Sequence, residues 1–165
     1  KDAVPAPARE TAMIPAGSAL LVDKKLALED LDIIAATSGE ADKWAGHIAK
    51  ALHPADQAWQ KEFTIRFVVL PDDIFSFLAD TATEIRMRVS IDKDTRTVKP
   101  GALWSEENLP AESVLWGVMG VSPSRDKTHE RKAEDLSKLL PAGETHLQIG
   151  GKHTVGRGLC RLVLA

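Results

Sequence analysis

Residues 84–91 read EIRMRVSI, and their strict two-residue alternation constrains the fold more than any other stretch. Ile85, Met87, Val89 and Ile91 fall on one side; Glu84, Arg86, Arg88 and Ser90 fall on the other. That period belongs to a half-buried strand, since a helix would scatter the apolar positions around its circumference. Asp92, Lys93, Asp94 and Thr95 then supply turn residues, and residues 96–98 return as the second arm of a hairpin. Its outer face is basic, with Arg86, Arg88, Lys93, Arg96 and Lys99. Such a face suits phosphates, with Met87 and Val89 available as wedges between bases. The plainer alternative is a solvated strand face.

Around this hairpin the pattern alternates between element types. Residues 1–17 hold Pro5, Pro7, Pro15 and Gly17 and read as linker or loop. Residues 18–28 contain a short strand, and 28–37 are ambiguous between strand and helix. A helix is expected over 41–52, capped by Ser38 or Asp42, with Trp44, Ile48, Ala51 and Leu52 on its apolar face. Residues 53–60 read as a loop or a short helix, and 63–70 (FTIRFVVL) as a strand. A helix over 72–81 would bury Ile74, Phe77, Leu78 and Thr81, and its early acids favour the dipole. Residues 102–110 read as irregular or short-stranded, 113–121 as a strand and 129–140 as a helix. Two terminal strands flank a glycine-rich loop. The fold class is α+β, compatible with a ferredoxin-like sheet carrying an inserted hairpin. A single domain is expected over 18–165.

Composition narrows the function classes. The chain has 165 residues, 44% hydrophobic and 27% charged, which excludes a disordered, collagenous or coiled-coil chain. Aromatic residues are only 5%, with no Tyr, so Leu, Val, Ile and Ala must fill the core. Cys160 is the one cysteine, so no intrachain disulfide or CxxC metal site can form, which fits a reducing cytoplasm. No apolar run approaches the roughly 20 residues of a membrane span. The start, KDAVPAPARE, has no signal-peptide core and no initiator Met, and reads as that of a processed, truncated or excised chain. The formal charge is -3, so no global positive field draws the chain to nucleic acid. Residues 1–62 carry 7 basic and 10 acidic groups, and the remainder carries 14 of each. From Thr145 onward there are three basic residues, Lys152, Arg157 and Arg161, and no acid, so an anion site is expected to be local.

The glycine-rich loop is the most specific local motif: Gly150, Gly151, Lys152, His153, Thr154, Val155, Gly156, Arg157 and Gly158. Its glycines allow close approach of another chain, and Lys152, Arg157, Thr154 and backbone N–H groups suit phosphate. It is neither a Walker A loop nor a dinucleotide fingerprint, because a strand and not a helix follows. The alternative is a glycine-bearing hairpin. Glu106 and Glu107, next to Trp104 and Ser105, are candidates for acid–base work or a hard-cation site, or are plain surface acids. His47, His53, His129, His146 and His153 show no metal-ligand spacing; His153 alone is a candidate for RNA contact. Cys160 lies in an apolar strand and reads as core.

Three segments carry a family resemblance: RFVVLPDDIFSFLADTATEIRMRVSIDKDTRTVKPGALWSEENLP, then ESVLWGVM, then LQIGGKHTVGRGLCRLV. They resemble the RAMP superfamily of CRISPR proteins, and within it the repeated backbone subunits of type III-B (Cmr) effector complexes. The resemblance covers residues 63–165 best. It implies a partial RRM-like, ferredoxin-type palm with an inserted thumb at about residues 84–110. It also implies a subunit that stacks with its own copies along a guide RNA, beside other effector subunits, with no membrane. Such subunits cut target RNA with a divalent metal, magnesium or manganese. By position, the resemblance places Arg86, Arg88, Lys93, Arg96 and Trp104 in or beside the thumb and Glu106 in the acidic element tied to cleavage. Gly150, Gly151, Lys152, His153, Thr154, Gly156, Arg157 and Gly158 fall in the loop that tracks the guide. The family's amino-terminal half, with a catalytic Asp, has no counterpart here, so the chain reads as a fragment inactive alone. Relatives often carry an aromatic where this chain has Asn108. A non-catalytic subunit that only binds guide RNA and scaffolds assembly is the alternative function.

Overall fold

A computed structural model describes residues 2–28 and 31–164. The chain divides into two compact units, residues 1–115 and 116–165.

In the first unit β1 (Thr11–Ile14), β2 (Leu21–Val22), β3 (Lys25–Leu28) and β4 (Leu31–Thr37) form a sheet in the order β1-β4-β3-β2. β1 is parallel to β4, and β2–β3 and β3–β4 are antiparallel. On its other edge β1 bridges residue 69: Met13 N–H donates to the Val69 carbonyl at 2.9 Å, and Val69 N–H donates back at 2.8 Å. This corrects the reading of 1–17 as linker or loop for residues 11–14. Pro and Gly around TAMI signal a loop, but Ala12 and Ile14 share the buried face of the end strand of the sheet. The ambiguous stretch resolves as β4, with Glu29 and Asp30 outside the described residues. Ala12, Leu26 and Ile33 form the core, with Leu28, Leu31, Val68, Leu70 and Ile74 packed against it.

Helix α1 (Gly39–Leu52) begins at Ser38, whose hydroxyl accepts from Ala41 N–H at 3.3 Å. Its buried stripe is Ala41, Ala45 and Ala49, one residue along from the expected Trp44, Ile48 and Leu52, which are half-buried. Small side chains at this spacing let the helix backbone approach its neighbours closely. α2 (Gln57–Ile65) replaces the first half of the strand expected over 63–70. Asp56 caps it, accepting from Trp59 N–H at 2.9 Å, and Trp59, Phe63 and Phe67 stack at four-residue spacing with centroids 5.1 and 5.7 Å apart. The β-like composition of FTIRFVVL is thus overruled by a cap and an aromatic ladder, and only Val69 keeps a strand contact. α3 (Asp72–Thr81) forms where expected, but Phe77 and Thr81 are exposed.

β5 (Glu84–Ile91) and β6 (Val98–Asn108) form the expected antiparallel hairpin. The second arm is longer than the sequence suggests, because residues 102–108, read as irregular, extend the ladder. The apolar face is not half-buried: Ile85 is 66% and Met87 62% exposed.

In the second unit, α4 (Ala133–Ser137) is five residues, shorter than the helix expected over 129–140. Side-chain hydrogen bonds of Ser124 and Asp126 hold the preceding residues in a closed loop and compete with helix formation. No strand forms over 113–121 among the described residues, since a strand needs a ladder partner; Trp116 is 90% exposed. β7 (Glu144–Gln148) and β8 (Leu159–Val163) pair antiparallel around the glycine-rich loop.

Candidate nucleic-acid interface

The expected residues gather in two sets, one in each unit. The first set lies on the polar face of the β5–β6 hairpin. The register places Arg86 opposite Glu106, Arg88 opposite Trp104 and Glu84 opposite Asn108. Directly opposed residues of an antiparallel pair share a face, so Arg86, Arg88, Trp104 and Glu106 form one cluster. Ile85, Met87, Val89, Leu103 and Glu107 share the other face.

Glu106 is the centre of the polar cluster. Its side chain is 9% exposed and lies 3.6 Å, Oε1 to Nε, from Arg88. The Trp104 indole N–H donates to the same Oε1 at 3.0 Å. The guanidinium and the indole N–H thus converge on one carboxylate oxygen. Arg86 is drawn instead to Glu84, its Nε donating to Oε1 at 2.8 Å. Asn108 donates weakly back to the carbonyls of Glu84 and Glu106, at 3.5 and 3.4 Å. Sequence reading did not foresee Glu84 as an internal partner of this face, although its place in the alternation was the available signal. Trp104→Phe retains the ring and removes the donor. Its expected effect is a loss of about 0.5–1.5 kcal/mol of stability, the net worth of one hydrogen bond, read as a lower thermal midpoint. An unchanged midpoint would mean that the indole N–H does not hold the carboxylate.

Lys93 and Arg96 sit at the hairpin tip, away from that cluster in register. Asp92 Oδ1 accepts from Asp94 N–H at 3.0 Å and Thr95 N–H at 3.1 Å. These bonds, that to Thr95 first, hold the Asp92 carboxyl below the ordinary aspartate range. Arg96 takes a left-handed backbone, φ 57°, and its N–H donates to the Asp92 carbonyl at 2.9 Å. Next to the tip the ladder jumps from Val89–Leu103 to Ile91–Val98. Pro100 lacks a donor and Gly101 has φ 72°, so Lys99 to Ala102 bulge outward.

The second set is the glycine loop. Ile149 N–H donates to the Gly158 carbonyl at 2.9 Å, and Gln148 Nε2 donates to the Arg157 carbonyl at 2.7 Å. Lys152 and Gly156, both left-handed at φ 64° and 76°, flank a 3₁₀ turn over His153–Val155. Gly158 has φ 73°, and a Cβ there would overlap the Ile149 carbonyl and come 2.7 Å from Gln148 Nε2. The loop therefore is a glycine-bearing hairpin, and it brings Lys152, His153, Thr154 and Arg157 onto one short connection. Gln148 is the functional-loop residue that sequence reading passed over; no motif marks it, because its role is a single bond across the loop.

Among the described residues no three His, Cys, Asp or Glu side chains group as a metal site. Glu106 and Glu107 leave β6 on opposite faces, Glu107 accepting from Thr83 Oγ1 at 2.7 Å, and Arg88 stands beside Glu106. One carboxylate beside a guanidinium does not fit a divalent ion.

The sequence profile of the RAMP superfamily matches residues 16–161. The CRISPR system Cmr endoribonuclease Cmr4 of Pyrococcus furiosus is 32% identical over 154 residues, covering 90% of this chain and 50% of that protein. The CRISPR system CMR subunit Cmr4 of Saccharolobus solfataricus is 27% identical over 95 residues, 58% of this chain and 29% of that protein. The solved structure of oligomeric Cmr4 from Pyrococcus furiosus superposes with a TM-score of 0.47 at 22% identity, over 93% of this chain and 52% of that one. The chain thus spans half or less of the length of the curated relatives it matches.

Proposed function

The chain belongs to the RAMP superfamily, and from that membership we propose that it is part of a backbone subunit of a type III-B CRISPR effector. In this reading the subunit stacks with copies of itself along a guide RNA, joins other effector subunits in the cytoplasm and cleaves target RNA. The observation that carries the reading is the polar face of the hairpin, where Arg88 and Trp104 both address one oxygen of Glu106.

The chemistry follows from that face. Cleavage by a 2′-hydroxyl needs the attacking oxygen, the phosphorus and the leaving oxygen in line. A projecting hairpin with an exposed apolar face, Met87 and Val89 included, splays a nucleotide out of the stack and imposes that geometry. Glu106 accepts the hydroxyl proton as the 2′-oxygen bonds to phosphorus; the bond from phosphorus to the 5′-oxygen breaks, which leaves a 2′,3′-cyclic phosphate and a 5′-oxygen that takes its proton from water. Arg88 beside it offsets charge growing on the phosphate. Any divalent ion used by the whole protein, magnesium or manganese, draws its donors from beyond this hairpin. The glycine loop contacts the guide backbone with Lys152, Arg157 and backbone N–H groups and leaves sequence to base pairing.

The same observation supports a second reading. A carboxylate 9% exposed and bound to two neighbours also suits a positioning role, in a subunit that binds guide RNA and scaffolds assembly without cutting. Both readings require RNA. The full-length protein, purified with its effector partners and run on a denaturing gel with and without RNase, is expected to release one discrete RNA. Lys152→Gln with Arg157→Gln is expected to deplete that RNA several-fold. An assembled, folded complex without RNA would sink both readings.

A further inference from the structure

The second unit carries a charge balance opposite to the first. Residues 116–165 hold 8 Lys and Arg against 5 Asp and Glu, whereas residues 1–115 hold 13 against 19. Half of those eight cations, Arg125, Lys127, Arg131 and Lys132, lie within eight consecutive positions, apart from both the hairpin and the glycine loop in sequence. They line a concavity of about 500 Å³ that runs from Pro123 to Glu134.

The loop behind that concavity is preformed. Ser124 N–H donates to the Arg131 carbonyl at 2.9 Å, and Arg131 N–H donates back to Ser124 Oγ at 2.9 Å. Ser124 Oγ also donates to the His129 carbonyl at 3.0 Å. Asp126, the acid at the tip, is consumed internally. It accepts from Thr128 Oγ1 at 2.6 Å and Thr128 N–H at 2.9 Å, and its Oδ2 lies 3.1 Å from His129 Nδ1. Those contacts, the Thr128 hydroxyl first, hold its carboxyl below the usual aspartate range. Among the described residues, none of Arg125, Lys127, Arg131 and Lys132 has a carboxylate within ion-pair distance. Glu130 and Glu134 line the same concavity but are not bonded to these cations. Four uncommitted cations on a closed loop are a preorganised anion receptor, because little ordering is left to do on binding.

We propose that residues 124–132 form a further phosphodiester-binding site, which takes the backbone of a single RNA strand. The four cations are spread over eight positions of one loop, so a ligand carrying several phosphates neutralises more of them than one free phosphate does. An acidic protein surface is the competing occupant. The site is distinct in sequence from the hairpin and the glycine loop, and it rests on the proposed function only in the choice of RNA.

The test uses the full-length protein and a fluorescein-labelled 20-nucleotide polyuridine RNA, with binding followed by anisotropy across a salt series. The variant Arg125→Gln, Lys127→Gln, Arg131→Gln, Lys132→Gln changes exposed side chains only. It is expected to bind about tenfold more weakly, with a log–log salt slope shallower by about 1.5 to 3, roughly 0.7 for each phosphate left without its cation. Ser124→Ala leaves the charge in place and loosens the loop, so it should weaken binding while keeping the slope. Unchanged affinity and slope in the fourfold variant overturn the inference. If Lys152→Gln with Arg157→Gln then still loses RNA, the glycine-loop reading stands alone. Normal RNA binding with loss of a co-purifying effector subunit overturns it in favour of a protein partner. A wild-type protein that does not bind the RNA overturns this inference and the proposed function together.

Discussion

Glu106→Gln in the assembled effector is expected to slow target-RNA cleavage by about 10²- to 10⁴-fold, the range for loss of a general base. Target binding should stay within about threefold, since the substitution removes only one negative charge from the proposed RNA interface. Glutamine keeps an oxygen in place to accept the Trp104 indole N–H, which carboxylate Oε1 accepts at 3.0 Å. The change therefore tests the charge and not the shape of the cluster. Glu106→Ala goes further and strands Arg88, now 3.6 Å from Oε1, without its partner. Single-turnover cleavage of a labelled target decides between the two functional readings. Loss in both variants supports a catalytic carboxylate. Full activity in the glutamine variant with loss only in the alanine variant assigns Glu106 a positioning role. Full activity in both sinks the cleavage reading of this hairpin.

Gly158→Ala should be the most damaging small substitution in the second unit. The residue has φ 73°, and its new methyl would run into the Ile149 carbonyl, which is backbone and cannot swing aside. The left-handed backbone costs a non-glycine residue about 1–2 kcal/mol and the overlap a further 1–3 kcal/mol. Gly151→Ala is the matched control, because a Cβ there meets nothing within 4 Å. Thermal melts by circular dichroism should show a clear downward shift for Gly158→Ala and almost none for Gly151→Ala. Equal shifts would mean that the loop adopts another conformation, and with it the clamp from Gln148 to the Arg157 carbonyl would be lost.

Much of the candidate interface was legible because it is local. The alternation of Glu84–Ile91 specified a strand, the turn residues after it specified a hairpin, and pairing in register brought Arg88, Trp104 and Glu106 to one face. The glycine loop was legible for the same reason, since three of its four glycines, Gly150, Gly156 and Gly158, sit where φ is positive. The motifs of these two regions also carried the family resemblance that the superfamily profile bears out. What was not legible depends on partners distant in sequence. TAMI looked like linker until β4 and Val69 flanked it, and SVLWGVMGV looked like a strand although no described segment pairs with it.

The same division holds for the chemistry. Sequence by itself determined the α+β class, the hairpin, the glycine turn and the residue types able to meet phosphate, because these follow from periodicity, turn chemistry and charge over a few neighbours. Tertiary structure alone decided that Glu106 is nearly enclosed and shared by Arg88 and Trp104, and that α1 buries alanines in place of Trp44 and Ile48. It also decided that Ser124 closes a basic loop that runs on to Arg131, past the point near His129 where the helix was expected to begin. Burial, cross-strand pairing and competition between side-chain and helical hydrogen bonds are set by what surrounds a residue in space, and a one-dimensional pattern holds no record of those neighbours.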